Sequence, residues 1–246
     1  MFKAIRNNIP NAITCLNLLC GALAVVAAFS AYEDVCCGLK GYQLAVILIG
    51  LGAVADFCDG LVARLLGAVS GIGKELDSLS DLVSFGLAPA MLMLNVLWGI
   101  FPGQWWPLVT MLIPVFGALR LARFNVDTNQ TTTFTGLPIP ANAMFWIGYA
   151  WWLAVSRVEQ AEFHVSVAAV VVTVLLLSWL MVCDLRMFSL KMHSFTLRDA
   201  WRQYVMIMAA ILLVALLGVP GFSFLILLYV VMCSVDLCLF MFKGKK

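Results

Sequence analysis

The chain has 246 residues, of which 63% are hydrophobic and only 11% charged, with a mean hydropathy of +1.02 and a net charge of +2. Soluble domains are about half apolar and about a quarter charged, so water is not the main solvent of this chain. So small a charge offers no electrostatic footprint for nucleic acid, and no tract is long and polar enough to make a soluble domain.

A helix needs about 20 apolar residues to cross a bilayer. Runs of that kind predict spans at 12–31, 42–66, 76–98, 104–122, 140–156, 164–184, 203–218 and 220–241. The expected fold class is an all-α integral membrane protein, a polytopic bundle of about eight transmembrane helices. It forms one domain over 1–246, with a motif-bearing core in about 1–160 and additional helices in about 161–246.

Ahead of the first span, Phe2 and Ile5 oppose Lys3 and Arg6, which predicts a short interfacial helix lying on the inner membrane surface. The apolar core of this span exceeds the 7–15 residues of a secretory signal, so it is read as a span. Within it, Asn11, Thr14 and Asn17 share one arc. Polar groups in a span face the bundle interior. Asn11, Thr14 and Asn17 are candidates for holding the cytosine edge or a phosphate, and hydrogen bonding between helices is the alternative.

Cysteines and histidines contribute little. The chain has 8 cysteines but no C-x-x-C, and His164 and His193 lie far apart, which argues against zinc. Cys36 and Cys37 are adjacent, a spacing that strains an ordinary disulfide.

With the N-terminus inside, all but Lys40 and Arg157 of the 15 basic residues fall in inner segments. The positive-inside rule then predicts a multi-pass protein of the cytoplasmic membrane, with both termini and the turn between spans two and three in the cytoplasm.

That turn carries the chemistry. Asp56 and Asp59 are spaced i, i+3, with Gly60 and Ala63 completing one helical stripe. Two carboxylates thus stand beside two residues with almost no side chain, where a ligand can approach the backbone. Asp77 and Asp81, spaced i, i+4, share a face of the next helix, reached through the short glycine-rich link LGAVSGIGK. The two helices are therefore expected to be antiparallel neighbours whose four carboxylates converge at one depth. Arg64 and Lys74 cannot balance four buried negative charges. Protonation is one escape, and hard divalent cations, which prefer carboxylate oxygens, are the other. Two Mg²⁺ or Mn²⁺ ions would leave positive potential over Gly60 and Ala63, suited to a pyrophosphate.

The stretch Asp56-Phe-Cys-Asp59-Gly60-Leu-Val-Ala63-Arg64, then eight residues, then Gly73-Lys-Glu-Leu-Asp77-Ser-Leu-Ser-Asp81 resembles the CDP-alcohol phosphotransferase signature at every position. The resemblance implies a cytidine-diphosphate lipid donor, two divalent metals, release of CMP, a hydroxyl acceptor and a homodimer. It implies that Asp56, Asp59, Asp77 and Asp81 are metal ligands and that Asp81 is also the catalytic general base. It implies that Gly60, Ala63, Arg64 and Gly73 line the nucleotide and its phosphates.

Three further stretches, DLVSFGLAPA (81–90), ALRLARFNV (118–126) and FTGLPIPANA (134–143), with IPNAITCLNLLCG (9–21), resemble the phosphatidylserine synthase branch of that family. This implies CDP-diacylglycerol as donor and L-serine as acceptor. Arg120 and Arg123, i, i+3 on one helix, are candidates to hold the serine carboxylate in a bidentate fork, with Asn125 beside them. The alternative is that these arginines serve the positive-inside rule or lipid phosphates. The polar segment NVDTNQTTTFTGLPIP is expected to be a cytoplasmic loop and a flap over the site. Rival functions are the same chemistry with glycerol 3-phosphate or an inositol phosphate, a divalent-cation transporter, and a structural scaffold. A transporter is disfavoured by the absence of inverted repeats.

Overall fold

The computed structural model describes residues 2–67, 71–126, 134–160, 165–187 and 201–243; the side chains described are those of 8–67, 71–126, 136–160, 165–185, 187 and 201–235. The chain runs α1 (Phe2–Phe29), α2 (Gly41–Leu66), α3 (Gly71–Asp81), a π-helical segment (Leu82–Leu87), α4 (Ala88–Ile100), a 3₁₀ turn (Trp106–Met111), α5 (Leu112–Val126), α6 (Ile139–Val158), α7 (Val167–Val182), α8 (Trp201–Leu217) and α9 (Gly221–Lys243).

Among the described residues, four stretches are long and apolar enough to cross a membrane: Asn8–Phe29, Gly41–Leu66, Gly71–Ile100 and Trp106–Val126. The chain is a helical membrane protein. Its outward faces carry large apolar side chains such as Val26, Phe57 and Leu119, as a lipid solvent requires.

Local chemistry sets the helix ends. Gln43 Oε1 accepts from the Lys40 backbone N–H at 2.9 Å and closes the start of α2. Gly67 ends α2 in the left-handed region at φ 59°, where glycine has no Cβ to clash. Ser166 caps α7 by accepting from the Ala169 N–H at 3.3 Å.

One expectation is corrected. The N-terminal surface segment is not a separate helix: α1 continues unbroken from Phe2 through Pro10. A proline forfeits one ladder bond, and the turns on either side keep theirs. Outside the helices the described chain forms only short bridges. Short pairings join Asp34–Cys36 (β1) to Leu39–Lys40 (β2), and Phe134–Thr135 (β3) to Arg186–Met187 (β4).

The second pairing pins the entry to α6 against the end of α7. Gly136 N–H donates to Leu185 O and Leu137 N–H to Leu180 O, both at 2.9 Å. Gly136 sits at φ +75° with the Met181 carbonyl where a Cβ would stand. The expected flap thus has an anchored end, while its residues 127–133 lie outside the described residues. Lys191, Arg198, Trp201 and Arg202 are expected from their types to anchor the chain at the inner membrane interface; Lys191 and Arg198 lie outside the described residues, and Arg202 Cζ is 5.5 Å from the Trp201 ring centre.

α1 packs along α2, and both lean on the helix that runs from α3 through the π segment into α4. Gly21 permits this, because a Cβ there would collide with Ser84 of the π segment. α6 is buried on most sides, with Trp146 fully enclosed and donating to Asn142 Oδ1 at 3.0 Å. At the opposite end from Gly67, the hydroxyl of Tyr32 donates to Val96 O at 2.9 Å. Burial pushes its pKa up to about 12, so it remains a donor. Cys36 and Cys37 are free thiols with sulfurs 3.5 Å apart.

Candidate active site

Helical spacing on α2 and α3 brings the acidic residues together. Asp56, Asp59 and Asp77 each offer a carboxylate oxygen, and these oxygens lie within 4.8 Å of one another. Asp81 joins them through Asp56, with which it is in side-chain hydrogen-bonding contact. Asp59 is buried, and its Oδ2, like Asp81 Oδ1, meets no hydrogen-bond partner. Among the described residues none of the four forms an ion pair.

Carboxylates so crowded and desolvated are relieved by protons or by positive charge from outside the protein. The donor set is all hard oxygen, without histidine or thiolate. It therefore fits divalent ions of the Mg²⁺ or Mn²⁺ type. Asp56, Asp59, Asp77 and Asp81 are the residues that would hold them.

A cavity of about 320 Å³ opens beside this cluster, lined on α1 by Pro10, Asn11 and Thr14, on α2 by Gly60 and Ala63 with the aspartates, and on α3 by Gly73, Lys74 and Asp77. A Cβ on Gly60 would meet open space, so no packing contact demands this glycine. Thr14 stands beside Asp59. Asn17 does not line the cavity: it is fully buried between α1, α2 and the π segment. Arg64 does not line it either, since its Nε donates back to Gly60 O at 2.8 Å.

The arginine pair of α5 divides. Arg120 lies within electrostatic reach of both Asp81 and Tyr229 of α9, and its Nε is buried without a partner. Arg123 instead donates to the Val182 carbonyl and pairs with Asp184 at 3.6 Å. Both line a second cavity of about 540 Å³ between α5 and the end of α7. Asn125 is not directed there, because its Nδ2 donates to Ser78 Oγ at 2.9 Å.

Residues 7–179 match the CDP-alcohol phosphatidyltransferase family. The chain belongs to that family. It is 40% identical over 140 residues to the CDP-diacylglycerol–serine O-phosphatidyltransferase of Bacillus subtilis, covering 56% of this chain and 72% of the relative. It is 31% identical over 220 residues to the protein of that name from Methanocaldococcus jannaschii, covering 89% of each. It is 39% identical over 144 residues to the archaetidylserine synthase of Methanothermobacter thermautotrophicus, covering 54% of this chain and 57% of the relative.

Asn11, which shares an arc of α1 with Thr14, lines the first cavity as expected of a nucleotide contact. Within this member of the CDP-alcohol phosphatidyltransferase family, two features of the site were not assigned from sequence. Lys74 lines the first cavity and its Nζ donates to Asn125 O at 3.1 Å. Tyr229 faces Arg120 from the last helix, and no local pattern marks it among so many apolar neighbours.

Proposed function

We propose that this protein transfers the phosphatidyl group of CDP-diacylglycerol to the hydroxyl of L-serine, giving phosphatidylserine and CMP. The names of its relatives supply both substrates. The observation that carries the mechanism is the position of Asp81, which stands beside Asp56 of the carboxylate cluster and lies within electrostatic reach of Arg120, a wall of the second cavity.

In this reading the first cavity takes the cytidine diphosphate. Gly60, Ala63 and Gly73 let the nucleotide approach the backbone, Thr14 and Asn11 offer polar contacts, and Lys74 faces the phosphates. Two divalent cations held by the four aspartates would neutralise the pyrophosphate and the leaving CMP. The serine carboxylate pairs with Arg120, which directs the hydroxyl towards Asp81. Asp81 accepts the hydroxyl proton as general base. The serine oxygen forms a bond to the phosphatidyl phosphorus as the bond from that phosphorus to the CMP oxygen breaks. Arg123 secures the end of α7 and so shapes the acceptor cavity.

The finer topology belongs to the same proposal. All eight apolar helical segments cross the bilayer as one membrane domain, both termini are cytoplasmic, and the site opens to the cytoplasm. The enzyme is a homodimer in the cell membrane.

The test is incubation of purified protein with CDP-diacylglycerol and L-serine, with and without Mg²⁺ or Mn²⁺, following CMP and lipid product. Metal-dependent phosphatidylserine formation is expected. Faster turnover with glycerol 3-phosphate in place of serine would overturn the acceptor, and uptake of metal without CMP release would overturn the enzyme.

A further inference from the structure

Asn17 is 0% exposed, and neither its Oδ1 nor its Nδ2 meets a hydrogen-bond partner. An amide brings two donors and two acceptor lone pairs, and burying it unpaired costs about 1–3 kcal/mol. Leucine has the same branched heavy-atom skeleton and would carry no such cost, so packing alone does not account for an amide here.

The surroundings are built around it. A Cβ on Gly52 would lie 2.9 Å from Asn17 Oδ1 and 3.7 Å from the Ser84 side chain, so only glycine leaves the amide its room. Ser84 Oγ donates to the Asn17 carbonyl at 2.9 Å, and Ser80 Oγ donates to the Thr14 carbonyl at 3.2 Å. These two bonds clamp α1 to the third transmembrane helix on either side of Asp81. Gly52 lies one turn, about 6 Å, from Asp56 on the same face of α2. Thr14, one turn before Asn17, stands beside Asp59. The amide therefore lies one turn deeper than the carboxylates, enclosed by three helices and shut off from the nucleotide cavity. Two oxygens of the carboxylate cluster, Asp59 Oδ2 and Asp81 Oδ1, are likewise buried without partners.

We propose that Asn17 is a positioning residue for the carboxylate cluster: through one internal water it holds these buried oxygens in the orientation in which the four side chains share divalent cations. The inference rests on the metal-site reading above. A buried water commonly bridges two to four polar groups, and outer partners that orient metal ligands are typically worth about 10- to 100-fold in metal affinity.

The experiment uses full-length protein in detergent without nucleotide. Mn²⁺ binding is read from the loss of the free-ion electron paramagnetic resonance signal, and stability from the thermal midpoint of the metal-free protein. Asn17→Leu is expected to weaken Mn²⁺ binding by about tenfold or more, while the metal-free midpoint stays level or rises, because an unpaired buried amide is gone. CDP affinity at saturating Mn²⁺ should not change. Mn²⁺ affinity within twofold of wild type, or a metal-free midpoint that falls, overturns the proposal. If the leucine variant does not fold, Asn17→Ser and Asn17→Ala decide. They lose similar volume, only serine keeps a hydrogen-bonding group, and equal Mn²⁺ affinities overturn the proposal. A wild-type protein that binds no Mn²⁺ would sink the metal reading itself, whereas equal binding by wild type and Asn17→Leu sinks only the role of Asn17.

Discussion

Lys74 Nζ donates to the backbone carbonyl of Asn125 at 3.1 Å, fastening the first turn of α3 to the last turn of α5. The Asn125 amide returns the contact by donating to Ser78. Asn125→Ala removes only the second bond, because a backbone carbonyl survives substitution. It is expected to leave the serine KM within about threefold of wild type. Lys74→Met removes a cation from the nucleotide cavity and should raise the KM for CDP-diacylglycerol about tenfold, the usual scale for one charge-assisted hydrogen bond. Steady-state kinetics with each substrate varied in turn checks both.

Arg120 and Arg123 should separate cleanly. Arg120→Ala is expected to raise the serine KM by about tenfold or more and leave that for the lipid donor nearly unchanged. Arg123→Ala breaks the tie to Val182 O and Asp184. It should lower the thermal midpoint with a smaller effect on serine. Equal effects of the two on serine KM would contradict the division.

Asp81→Asn keeps the shape and removes the base. Turnover should fall by at least about 100-fold, the lower range for general-base catalysis. The protein should remain folded, because one negative charge fewer relieves the crowding among Asp56, Asp59 and Asp77. Circular dichroism and CMP release measure the two halves of this statement.

Metal removal should act on stability as well as on rate. A ligand that binds only the folded state raises the midpoint. Mn²⁺ or Mg²⁺ should therefore protect wild type against heat after chelation, and should not protect Asp59→Ala. A midpoint indifferent to both ions would argue against the carboxylate cluster as their site.

Gly21→Val tests the seam between α1 and the π segment. Its Cβ would strike both the side chain and the backbone of Ser84. Overpacking of this kind costs about 1–3 kcal/mol, so the variant should melt earlier. Gly50, where a Cβ meets nothing, should accept alanine without loss.

The carboxylate cluster was legible because its information is local. Spacings of three and four residues fix a helical face whatever the rest of the chain does, and Gly67 marks where α2 must stop. Apolar length likewise marked the long helices. What escaped depended on distant or unpatterned partners. Nothing in residues 118–126 says that Arg123 will turn to Asp184 while Arg120 stays within electrostatic reach of Asp81. The burial of Asn17 required Gly52, 35 positions later, to vacate space for it. The continuity of α1 through Pro10 was missed because a charged, amphipathic start looks the same whether it lies along a membrane surface or extends a spanning helix.

The π-helical turn at Leu82–Leu87 begins at the residue after Asp81. A wide turn carries one residue more than an α-helix needs over the same rise, so it shifts the angular phase of everything beyond it. Asp77 and Asp81 can therefore face α2 while the residues of α4 answer to a different set of neighbours. Removing one residue from this apolar run would close it to an ordinary α-turn over the same rise and keep both ends in phase, whereas removing two would swing either the acidic end or the lipid-embedded end by about 100°. Grafting or trimming the protein must count residues across this spacer.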